Sequence, residues 1–65
     1  MTVYGLYRGN PNEIGMIAPS KAAAATMRAM FGPAWKARKL TAAEANDPWV
    51  LAEIATLTAE GVWNA

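Results

Sequence analysis

Side chains able to make or break bonds are scarce in these 65 residues. There is no cysteine and no histidine, which removes thiolate nucleophiles, disulfides, zinc ligation and imidazole acid-base chemistry. Ser20 is the one serine, and its place just before a helical pattern gives it the work of a cap, with no activating base beside it. Glu53 and Glu60 stand seven positions apart, two turns along one exposed helix face and not the pair in a cleft that acid-base work needs. Gly5, Gly9 and Gly15 fit strands and a turn, and form no phosphate-cradling loop. The expectation is a chain that is no enzyme and holds no metal or cofactor.

What remains is recognition, and two sets of residues could carry it. Trp49, Glu53, Thr56 and Glu60 share one side of a helix, expected to lie opposite its buried stripe, with Asp47 and Glu44 just before them. A tryptophan with an acidic rim is the makeup of an anchor for a basic protein surface. A second placement stays open, in which Trp49 folds back under the turn at 41–46. The other set is basic: Arg8, Lys21, Arg28, Lys36, Arg38 and Lys39 could meet phosphates while Tyr4 or Trp35 stacks on bases. Six bases and one acid fall in the first 40 positions, and four acids with no base in the remaining 25. That asymmetry is a partner signal, but it also fits two halves that attract each other, and lysines on an edge strand block unwanted pairing.

The elements that must position these residues are well punctuated. Residues 2–18 read as a hairpin broken at Gly9-Asn10-Pro11-Asn12, each a turn former for its own reason. Pairing Arg8 with Glu13 sets Tyr7 opposite Ile14, Leu6 opposite Gly15, Gly5 opposite Met16 and Tyr4 opposite Ile17. One face then carries Val3, Tyr7, Ile14, Met16 and Ala18, and the other Tyr4, Leu6 and Ile17. A helix follows from Ser20, its cap, to Gly32-Pro33, its stop, with Ala23, Ala24, Met27, Met30 and Phe31 on one side and Lys21, Ala25 and Arg28 opposite. Residues 33–40 alternate as a third strand, Trp35 and Ala37 one way, Lys36 and Arg38 the other. Thr41 and Glu44 have the spacing of a capping box opening a short turn. Asp47-Pro48 starts a longer helix to Glu60, ended by Gly61, whose buried stripe is Val50, Leu51, Ile54 and Leu57. Trp63 is expected to dock the tail.

These elements predict an α+β fold: a three-stranded antiparallel sheet with the first strand in the middle, a helix on one face by the right-handed crossover rule, and a second helix at the C-terminal end. One domain, 1–65, with a thin core is all the length allows. No basic-then-apolar leader and no long apolar run is visible, so the expectation is a soluble, cytoplasmic protein.

This layout of hairpin, helix, strand and helix, in a tiny chain without Cys, His or targeting signal, resembles the orphan proteins of phages and other mobile elements. It is similar in size and style to anti-CRISPR proteins. The resemblance spans the whole chain through size and element order, and no motif assigns a role to any residue. It implies a non-catalytic inhibitor that binds a bacterial effector complex and blocks target-DNA recognition or nuclease recruitment. The alternative is a nucleic-acid-binding accessory domain. A third possibility is self-association through Tyr4, Leu6 and Ile17, giving a weak homodimer instead of a monomer.

Overall fold

A computed structural model describes residues 2–63. Strands β1 (Tyr4–Tyr7), β2 (Ile14–Ala18) and β3 (Lys36–Lys39) form one antiparallel sheet in the order β2-β1-β3, with helices α1 (Lys21–Phe31), α2 (Ala42–Ala45) and α3 (Pro48–Ala59). The predicted α+β layout is the one found, with β1 central and α1 carrying the chain from one edge to the other.

The helix ends are where the sequence puts them. Ser20 Oγ accepts from the Ala23 amide at 3.0 Å, and Gly32, at φ 107°, turns the chain out of α1 while its N–H reaches the Arg28 carbonyl. Such a φ is open to glycine at little steric cost. Thr41 and Glu44 close a full capping box around α2. Pro48 opens α3, with Asp47 at the cap position.

The hairpin register differs from the sequence expectation at one point. Tyr7 faces Ile14, but Leu6 faces Met16, Gly5 faces Ile17 and Tyr4 faces Ala18, so Gly15 is an extra residue in a bulge. Because side chains alternate with period two, one inserted residue moves everything beyond it to the other face. Ile14 therefore parts from Met16 and Ala18. Gly15 also leaves space for the Trp35 ring, which a Cβ would meet at 3.2 Å.

Both faces of the sheet are covered. On one, Leu6, Ala18 and Ala24 form a buried cluster with Tyr4, Met16, Ala23, Met27, Trp35 and Ala37 against it; alanines at 23 and 24 bring α1 close. On the other, Val3, Ile17, Leu40, Ala45, Val50 and Trp63 are buried, with Ile14, Ile54 and Leu57 packed on them. Gly5 makes this second cluster possible, since a Cβ there would stand 2.7 Å from Leu40 and 2.8 Å from Ile14. The missing side chain lets those two residues meet across the central strand.

Several expectations give way here. Leu6 is 0% and Ile17 3% exposed, so neither offers a self-association surface: with helices on both sides, no sheet face is left bare. Met30 is 73% exposed and Phe31 50%; both belong to the last turn of α1, and Met30 lines an open groove with Ile17, Met27, Leu57, Val62 and Trp63. Leu51 is 44% exposed; it lies on the flank of α3 turned from the sheet, and only Val50, Ile54 and Leu57 of the expected stripe pack inward. Trp63 does dock, 6% exposed within the second cluster. No described helix is long and apolar enough to cross a membrane.

Candidate protein-binding surface

Trp49 is the second residue of α3 and 45% exposed. It neither folds wholly under the turn at 41–46 nor stands free of it. Its ring walls one side of a cleft that Asn12 and Glu13 of the hairpin loop, Glu44 of α2 and Asp47 close from the other sides, over a floor of Ile14, Leu40 and Val50. At 100° per residue, Glu53, Thr56 and Glu60 line up with Trp49 about a quarter turn from the buried stripe, on a flank of α3 and not opposite the core. Glu53, Thr56 and Glu60 are all exposed. Three of the five carboxylate side chains therefore line the cleft and the other two continue its flank.

Glu13 is the residue that sequence reasoning assigned elsewhere. It does not pair with Arg8: among the described residues the ion pair within 4 Å is Arg38 with Glu44. The turn accounts for the difference. Asn10 Oδ1 accepts from the Asn12 amide and the Asn10 carbonyl from the Glu13 amide, at 2.9 and 3.0 Å, so a tight turn at the hairpin tip ends at Glu13, on the wall of the cleft. Nothing local in the sequence signals that meeting, which depends on where α3 crosses the sheet.

Arg38 and Glu44, expected in opposite recognition sets, hold each other. Arg38 Nη1 donates to Glu44 Oε1 at 2.8 Å and Nη2 to Oε2, while Nε donates to the Pro11 carbonyl at 2.9 Å. The planar fork thus joins the hairpin loop, β3 and α2 in one set of bonds, a geometry lysine cannot reproduce. Hydrogen bonding from Arg38, then from the Thr41 backbone, lowers the Glu44 carboxyl from its ordinary 4.5 to about 2. The same contact raises the Arg38 guanidinium. The two halves of opposite charge are joined here, and neither group is free to serve a partner without breaking that contact.

The remaining bases lie outside the cleft. Lys21 and Arg28 share a shallow groove on the α1 side with Tyr4, and Arg28 Nε is engaged with the Trp35 carbonyl at 2.9 Å. Lys36 and Lys39 stand exposed on the edge strand β3, and Arg8 is exposed at the hairpin. Among the described residues no group of three acidic side chains is placed to hold a metal ion.

Comparison with protein-family models, with curated proteins and with solved structures returns no match.

Proposed function

We propose that this chain is a non-catalytic binding protein that lays the Trp49 flank of α3 onto a basic protein surface and blocks the assembly that surface serves. A phage-type inhibitor of a bacterial effector complex, acting as anti-CRISPR proteins do on DNA recognition or nuclease recruitment, is the form this takes. The observation that carries it is the half-exposed indole of Trp49 among exposed Glu53 and Glu60. Large aromatics at the centre of an interface dominate its energy, and a charged rim selects the partner and speeds encounter.

The test is inhibition of target-DNA binding by purified CRISPR effector complexes. The parent chain should inhibit at least one, and Trp49→Ala with Glu53→Lys should lose that inhibition. Equal inhibition by parent and double variant would remove this surface from the reading.

A second reading, nucleic-acid binding, draws on Tyr4 beside Lys21 and Arg28. It requires oligonucleotide binding that weakens with salt and disappears in Lys21→Glu with Arg28→Glu.

A further inference from the structure

Resting on the protein-binding reading above, we propose that the cleft between the hairpin loop and the start of α3 receives one guanidinium: an arginine side chain of the partner, laid on the Trp49 ring and held by Glu13 and Asp47.

Size comes first. The cleft measures about 210 Å³, smaller than the roughly 300–1,000 Å³ of sites for drug-sized ligands, and so on the scale of one side chain. Its walls come next. Trp49 is 45% exposed; Leu40 and Val50 lie beneath the cleft at 5% and 1% exposure, so its open surface is more polar than apolar. An aromatic wall suits a flat, weakly hydrated guanidinium, which stacks on tryptophan, better than a compact, strongly hydrated ammonium.

Charge then selects the sign. Of the three carboxylates on the walls, Glu44 is bound to Arg38. Glu13 and Asp47 have no cation within 4 Å and no side-chain hydrogen bond among the described residues, and Asp47 makes no bond to the α3 amides it caps. Two carboxylates beside an aromatic wall are therefore left without a counter-charge. The positive end of α3 opposes a cation, and Asp47 at that end carries the compensating charge. Glu44 displays the mode on the cleft wall, taking the fork of Arg38 through both oxygens. The occupant is a side chain of another molecule: of the three arginines, Arg38 is tied to Pro11 and Glu44, Arg28 to the Trp35 carbonyl, and Arg8 neither lines the cleft nor pairs with a carboxylate of the described residues within 4 Å.

The experiment uses N-acetyl-arginine methylamide as probe, with the lysine and citrulline analogues beside it, and follows the Trp49 indole N–H by NMR. Arginine should shift that resonance saturably, lysine less, and neutral citrulline not at all. Glu13→Gln with Asp47→Asn should weaken the arginine effect about tenfold, two exposed ion pairs together being of that order; asparagine still caps a helix, so this variant keeps its fold. Trp49→Ala should abolish the shifts of neighbouring amides. No saturable shift with arginine, an equal shift with citrulline, or an unchanged response in the double variant would overturn the proposal. The outcomes separate from those of the parent reading. Inhibition lost in Trp49→Ala/Glu53→Lys but kept in Glu13→Gln/Asp47→Asn sinks the arginine cleft and leaves the binding surface standing. Probe binding without inhibition of any complex does the reverse.

Discussion

The two sides of the sheet are built on different principles. The α1 side is one helix on one face, amphipathic in sequence, closed at both ends by Ser20 and Gly32 and carrying its cations outward. The α3 side is assembled from pieces: Val3, Ile17, Leu40, Ala45, Val50 and Trp63 come from strands, a short helix, a longer helix and the tail. Helix α3 is apolar nearly all round, so burying Val50, Ile54 and Leu57 leaves Trp49 and Leu51 in solvent. A helix with one apolar stripe is finished once it docks, whereas one that is apolar on several sides keeps surface for a second contact.

The largest expected effect separates the two sides directly. A chain of this length has total stability of roughly 3–10 kcal/mol. Trp63→Ala should remove about 3–5 kcal/mol of it, by lost burial and the cavity left behind; urea denaturation read by circular dichroism would measure this. Leu6→Ala on the α1 side should cost about 2–5 kcal/mol. If the sides form one cooperative unit, each variant gives a single transition displaced as a whole. A biphasic curve for Trp63→Ala with a single-step curve for Leu6→Ala would show that the α3 side melts on its own.

Gly5→Ala sharpens the contrast from the centre of the sheet. Its new methyl would press on Ile14 and Leu40, residues of the α3-side cluster, and should cost about 1–3 kcal/mol by overpacking. Leu40→Ala in the same chain should cost less than in the parent, because it vacates the space the methyl needs.

Acid acts on one side only. Glu44 has a folded-state pKa depressed to about 2 from 4.5, so its contribution is complete above about pH 4.5 and is lost as pH falls towards about 2. Thermal melts across that window should show Glu44→Gln with a flatter decline in melting temperature than the parent. The pair is partly exposed, and added salt should shrink the difference. The smallest effect on stability is expected from Trp49→Ala, whose consequence belongs to binding: its melting temperature should stay close to that of the parent while inhibition of the partner is lost. A large loss of stability instead would make Trp49 a packing residue first.

Much of the fold was legible because local chemistry marks its joints. Ser20, Gly32, the Thr41 and Glu44 pair and Pro48 stand within a residue of the observed boundaries, and Gly61 within two, and the order of strands follows from a hairpin plus a crossover. The bulge was not legible, since an extra Gly15 leaves the composition of the strand unchanged and only the pairing records it. Leu51 read as buried because it is apolar and adjacent to Val50, yet half of α3 faces away from the sheet. Of the candidate surface, Trp49 with Glu53 and Glu60 could be read from helical spacing. Glu13 could not, because its place beside Trp49 is fixed by tertiary packing between segments more than thirty residues apart.

The hydrogen bonds of the Arg38 side chain carry one more implication. Its guanidinium reaches Pro11 and Glu44 from β3, so the distance between the hairpin tip and the helical arm is fixed by a residue that does not itself line the cleft. A charge-reversal scan would record residue 38 as a binding determinant, since its loss lets the two jaws drift apart. Only a separate readout of jaw spacing would tell that indirect effect from touch.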